Sequence, residues 1–269
     1  MKYAIISHNI DFVTFLMNEY NIEIDLEYCG IYNNVESFLV HFDQTNDINK
    51  CFVYSTIFDI PSLFEYFLSH GANINEKNDY GNTALHNAVF NNSKETAELL
   101  ISHGANINEK NKNGKTALHN AVFNNSKETA ELLISHGINI NEKNKNGKTT
   151  LHIAVFNNSK ETAELLISHG ANINDKTKTG ETALHIAARR NSKEIAELLI
   201  SHGANINEKM IMEIPHFIMQ QCTIVKKLPN FLFHMVQISM KKIKMEKPPF
   251  IMQYLIIVKK LPNFLFHMA

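Results

Sequence analysis

Fourteen histidines stand among the 269 residues of this chain, and nine of them fall into two registers. His86, His119, His152 and His185 recur every 33 residues, and so do His70, His103, His136, His169 and His202. Imidazoles at a fixed interval raise the question of a metal site, since neutral His is a common ligand. Distance argues against one. Elements repeating at this interval stack at helix-packing separations of about 8–10 Å, whereas zinc holds each nitrogen at about 2 Å. A local role suffices for both ladders. The first follows a Thr by three residues, where an imidazole can order a turn through backbone and hydroxyl. The second closes an apolar helical pattern, where the helix dipole favours a cation. Glu95 and Glu98, with their copies, lie one helical turn apart, as an acid–base pair would. They fall on the polar face of an amphipathic pattern and recur in every unit, so a solvated face explains them. A glycine-rich phosphate loop, a nucleophile elbow and an HExxH helix are all missing from the sequence. No cofactor and no metal is called for, and the expectation is a protein that is not an enzyme.

The elements that carry these residues repeat. Gly81, Gly114, Gly147 and Gly180 each open the same text, and the second unit differs from the first only at Asn82/Lys115 and Ala105/Ile138. Thr83 is placed to cap a short helix that turns Ala84, Leu85, Ala88 and Val89 inward. Asn92 follows where the chain must break, and Asn tolerates the left-handed conformation better than other non-glycine residues. A second helix is expected from Ser93 to His103, with Ala97, Leu99, Leu100 and Ile101 as its apolar face and Gly104 as its stop. Helices this short are marginal alone. They persist by stacking on copies of themselves, which predicts a solenoid.

The pattern G-x-T-A-L-H-x-A, followed by E-x-x-x-L-L-x-x-G-A-x-x-N, resembles the ankyrin repeat family over residues 81–207. Ala84, Ala117, Thr150 and Ala183 stand where that family favours Pro, and Asn92, Asn125, Asn158 and Asn191 where it favours Gly. The resemblance implies an all-α ankyrin-repeat solenoid of stacked helix–turn–helix units with hairpin-like loops. Four repeats are expected, at 81–113, 114–146, 147–179 and 180–209. Upstream, Cys51–Tyr80 keeps the same frame one period earlier, ending in the shared LSHGANINEKN. Tyr3–Asp25 matches a helix pair out of phase, displaced by what reads as an insertion around Cys29–Asn46. Residues 1–80 are read as a degenerate ankyrin-like cap, with a separate small helical domain as the alternative.

In ankyrin proteins partners dock on the hairpin tips and on the groove-facing side of the first helix. Carried onto this sequence, those positions are Asp79, Tyr80, Asn82 and Phe90, then Lys112, Asn113, Lys115 and Phe123. The third repeat supplies Lys145, Asn146, Lys148 and Phe156, and the fourth Lys178, Glu181, Arg189 and Arg190. The tip text NEKNKNGK holds three Lys to one Glu, a basic edge on a body of acidic balance. Phe90, Phe123 and Phe156 either form an aromatic stripe along the groove or pack between adjacent units; the sequence leaves both open. The resemblance therefore implies a non-catalytic protein–protein interaction module, a scaffold or adaptor; if the tip lysines and the three Phe form its docking face, the partner is an acidic protein with an apolar patch.

Charge divides the chain. Residues 210–269 carry eight Lys and two Glu, a balance of +6, which leaves residues 1–209 at −7. IVKKLPNFLFHM occurs twice in that tail, at Ile224–Met235 and Ile257–Met268, again 33 apart. Read one base late, plausible codons for Ser-Lys-Glu-Thr-Ala-Glu-Leu give Val-Lys-Lys-Leu-Pro-Asn-Phe, which is Val225–Phe231. The tail thus reads as further repeats translated out of frame, without useful structure of its own. The competing function is a membrane-surface or nucleic-acid-associated protein acting through Lys226, Lys227, Lys259 and Lys260. Cys29, Cys51 and Cys222 form no CxxC pair, which fits a reducing compartment. The first residues offer only Ala4–Ile6 as an apolar run, too short for a signal peptide. A soluble cytoplasmic protein is expected.

Overall fold

The computed structural model describes residues 1–208. The expected tail at 210–269, the frame shift near Lys209 and the membrane or nucleic-acid reading built on them lie outside the described residues. Among the described residues there are fourteen helices and no strand. The described residues form two compact units, Met1–Lys145 and a second that begins at Asn146.

The first unit is a stack of five helix pairs. They are α1 (Lys2–Ile6) with α2 (Ile10–Tyr20), α3 (Leu26–Ile31) with α4 (Val35–Thr45), and α5 (Ile48–Ser55) with α6 (Pro61–Ser69). The repeats proper add α7 (Ala84–Phe90) with α8 (Lys94–Ser102), and α9 (Ala117–Phe123) with α10 (Lys127–Ser135). Leading helices pack in the order α1, α3, α5, α7, α9, so the same layer runs through the unit. Residues 29–46, which the sequence presents as an insertion, are instead most of α3 and α4. The insertion is a helix pair of the stack.

Local chemistry explains where these helices start and stop. Asn9, Asp25, Asn34 and Asp47 each accept a backbone N–H at a helix start, which answers one of the orphan donors there. Thr83 and Thr116 cap their helices by a reciprocal box in which the third helical residue is His rather than Glu. Between the helices of a repeat, Asn92 sits at φ 60° and Asn125 at φ 57°, the left-handed conformation expected of them.

Leu85, Ala88, Val89, Ala97 and Leu100 are buried, as their spacing predicts. Leu99 and Ile101 are only half-buried, a correction to the expected face of the second helix. Thr96 takes the inward place instead, because its hydroxyl is satisfied by donating to Asp59 Oδ1 at 3.0 Å. Toward the N-terminus the core is aromatic: Phe38 meets Phe58 and Phe67 edge-on, at ring separations of 5.0 and 6.0 Å.

The second unit contains α11 (Thr150–Phe156), α12 (Lys160–Ser168), α13 (Ala183–Arg190) and α14 (Lys193–Ser201). Leading helix packs on leading helix and second on second, around Leu151, Leu166, Ile186 and Leu199. Among the described residues no helix is long and apolar enough to cross a membrane.

Candidate functional site

The tips at 78–82 and 111–115 are each built by one Asn, and Thr177 takes that place in the tip at 177–181. The Asn111 side-chain Oδ1 accepts from the N–H groups of Asn113 and Lys115 at 2.9 and 3.0 Å, and its own N–H donates to the Lys115 carbonyl at 3.0 Å. Asn78 does the same for the tip that holds Tyr80 and Asn82. Neighbouring tips are then joined through backbone: the Lys112 N–H donates to the Tyr80 carbonyl at 3.0 Å, and the Lys145 N–H to the Asn113 carbonyl at 2.9 Å. In the second unit the Lys178 N–H donates to the Asn146 carbonyl at 3.0 Å. Their backbones are occupied, and the side chains of Asp79, Tyr80, Lys112, Asn113, Lys145, Asn146 and Lys178 are exposed.

The basic edge read from the tip text is smaller than the letters suggest. Lys77 pairs with Glu109, Lys110 with Glu142, and Lys176 with Glu208. The lysine ammonium groups hold these three carboxyls below the usual carboxylate range, chiefly by hydrogen bonding. The lysines of the NEK triplets at 75–77 and 108–110 and of the NDK triplet at 174–176 are thereby neutralised. Among the described residues, no carboxylate pairs with Lys112 or Lys145.

Behind the tips lies the first histidine ladder. His86 is buried; its Nδ1 receives the Thr83 N–H at 3.2 Å, and its Nε2 donates to the Lys115 carbonyl of the next repeat at 3.0 Å. A carbonyl only accepts, so the proton sits on Nε2. His152 repeats this in the second unit, with Thr149 and the Glu181 carbonyl. The second ladder holds the other tautomer: Nδ1 of His103 donates to the Leu99 carbonyl of its own helix at 2.7 Å. Burial, partly opposed by the Lys115 carbonyl, pushes the His86 imidazole below its ordinary value, and burial does the same to His185. Among the described residues no group of three or more His, Cys, Asp or Glu is placed to hold a metal ion.

The three Phe rings of the leading helices lie at the surface, and they are not equivalent. Phe123 carries the Lys115 ammonium 5.2 Å from its ring centre. In the second unit Phe156 carries Lys148 at 5.4 Å and the Arg190 guanidinium at 4.0 Å, and Arg190 also donates twice to the Phe156 carbonyl, at 2.9 and 2.8 Å. Arg189 pairs with Glu181 at 3.2 Å. Glu181, Arg189 and Arg190 of the fourth repeat are therefore engaged within the second unit, while the Lys178 side chain stays exposed. Phe90 has Asn82 where the next repeat has Lys115, and among the described residues no cation lies over its face; it is 54% exposed, much as Phe123 is at 53%.

Phe90 lines an open groove of about 400 Å³ in the first unit. Tyr80, Asn82, Asn113 and Lys115 reach it from the tips, and Asn87 and Asn120 from the leading helices. Asn87 donates to the Val53 carbonyl at 3.0 Å, which fixes its place on the floor. Five further lining residues, Glu27, Ile31, Tyr54, Ile57 and Asn78, come from the first 80 residues and are absent from the sequence-based expectation. Ile57 and Tyr54 precede Phe90 and Asn87 by 33, so the repeat frame alone could have found them. Glu27 and Ile31 belong to α3, which that frame does not reach. Of the sixteen expected positions the groove gathers Tyr80, Asn82, Phe90, Asn113 and Lys115.

Stacked helix pairs joined at hydrogen-bonded tips, with an open aromatic groove beside them, define a helical repeat scaffold. The chain belongs to the ankyrin repeat family: the model for ankyrin repeats (3 copies) matches residues 53–144 and 139–210. A domain of unknown function matches residues 1–41. No curated protein matches the chain. Ankyrin repeats are in general protein–protein interaction modules.

Proposed function

We propose that this chain is a non-catalytic docking protein, and that its partner protein binds the groove between the tips and the leading helices of the first unit. Phe90 carries the reading: a half-exposed aromatic ring facing an open groove, on a helix whose other apolar residues are buried. Exposed aromatic anchors ringed by polar groups are what partner hot spots use. On this reading the tips and groove-facing side chains supply specificity, residues 1–80 are a degenerate ankyrin-like cap, and units 81–113, 114–146, 147–179 and 180–209 are the repeats. Cys29 and Cys51 are free and buried, and burial pushes both thiols up to about 12, which accords with a reducing compartment such as the cytoplasm.

A photo-crosslinking residue placed at Phe90 in the full chain tests the site against the same residue placed at Glu95, which is exposed on the second helix. A protein captured at position 90 and released by Lys115→Glu, with no capture at position 95, is the expected result. Equal capture from both positions would remove the groove from consideration.

A further inference from the structure

The repeats of the first unit are near copies, so the positions where they differ are the informative ones. At the outermost tip position the residue is Asp79, then Lys112, then Lys145. Three residues on it is Asn82, then Lys115. The sign of the charge reverses along one edge while the scaffold beneath stays constant.

The structure places further acids at the negative end. The Tyr80 hydroxyl donates to Glu27 Oε2 at 3.0 Å, and Asp25 caps the helix that carries Glu27. A depression that shares Glu27, Tyr54 and Tyr80 with the groove is also lined by Glu23, Asp25 and Asp79, with Lys50 as its one lining cation. The Tyr54 phenol, pushed up to about 12 by burial and then by Asp79, Glu27 and Asp25, registers the negative field there. At the opposite end stand Lys115, on the groove, and the unpaired Lys112 and Lys145. The groove's aliphatic and phenyl lining is Ile31, Ile57 and Phe90, set among asparagines that include Asn82, Asn87 and Asn120.

A uniformly acidic partner would be attracted by the lysines and repelled by Glu27 and Asp79, and a uniformly basic one the reverse. We propose that the groove takes an extended peptide segment of mixed charge, with basic side chains at the Glu27–Asp79 end, an apolar side chain against Ile31, Ile57 and Phe90, and acidic side chains at the Lys112–Lys115–Lys145 end. This rests on the docking reading above and replaces the acidic partner that the tip text alone suggests. Complementary charge of this kind governs register and encounter more than raw affinity, and it is screened by salt because the groups are exposed.

Four labelled peptides of equal length and one apolar core decide the matter by fluorescence anisotropy with the full chain: Lys-Lys-Gly-Leu-Phe-Gly-Glu-Glu, and versions with both flanks acidic, both basic or both Ser. The mixed peptide is expected to bind about five- to tenfold tighter than any other, with the margin shrinking as salt is raised. Asp79→Lys should hand the preference to the peptide with two acidic flanks. Phe90→Ser should weaken the mixed peptide at least about fivefold. If the doubly acidic peptide binds the unaltered chain as well as the mixed one while Phe90→Ser still weakens both, the groove stands and the mixed-charge assignment falls. If no peptide binds, or none responds to Phe90→Ser, the docking reading falls with it.

Discussion

His86 donates from Nε2 to the Lys115 carbonyl while its Nδ1 receives the Thr83 N–H, so an imidazole that titrates near neutrality in water is held neutral in one tautomer. Both partners are backbone groups of buried or half-buried residues, and neither has water as a ready substitute. His86→Ala should therefore cost about 2–3 kcal/mol in urea unfolding, from two orphaned backbone groups and a small void. His103→Ala removes an exposed ring bonded only within its own turn, and its urea midpoint should move by less than the equivalent of about 0.5 kcal/mol. The Thr-x-x-His spacing made the local half of this role legible, because a cap acts over three residues. The Lys115 carbonyl, one repeat away, was not legible, since no local pattern states which backbone group stacks over which ring. The same limit hid Thr96, whose inward place depends on Asp59.

At the scale of elements, two kinds of glycine stop the chain for different reasons. Gly104 ends α8 at φ 88°, and a Cβ built there meets nothing within 4 Å. Gly114 turns the tip at φ 71°, and a Cβ there would lie 2.9 Å from the Lys145 backbone nitrogen. Gly104→Ala should cost the conformational penalty alone, about 1–2 kcal/mol. Gly114→Ala should cost at least about 1 kcal/mol more, because the joint between two tips must open as well. Comparing the two urea midpoints checks the difference. Glycine stops, Thr caps and the Asn breaks were readable because each follows from the conformation its residue tolerates. The pair α3 and α4 was not, because its caps are Asp25 and Asn34 and its core residue Phe38 is aromatic, so no letter of the repeat text survives to mark the frame. The groove lost its Glu27 wall in the sequence reading for that reason.

Over the described residues, the histidines and glutamates with displaced titration form two sets that act in successive pH windows below neutrality. His41, His86 and His185 are held below their ordinary 6.5, in each case chiefly by burial. As pH falls below 6.5 the unfolded chain takes up protons that the folded chain refuses, so folding stability drops through that window. Glu109, Glu142 and Glu208 are held below 4.5 by their lysines, and their contribution persists until pH falls below that value. The urea midpoint should be level above about pH 7, decline from there toward pH 5, and decline again in stronger acid. The lysines that hold these carboxylates are exposed, so solvent screens the pairs and the histidine step is the larger expected one. A midpoint that rises on acidification from neutrality would contradict the neutral ladder. The joints themselves bear on how such a chain changes over generations. Lys77 meets Glu109 as Lys110 meets Glu142, and the Tyr80 carbonyl receives Lys112 as the Asn113 carbonyl receives Lys145. Recombination that excises one repeat's length of gene between Gly81 and Gly114 brings Lys77 to Glu142 and Tyr80 to Lys145. The shortened product has no mismatched joint, so heritable variation in copy number meets no interface that must first be repaired.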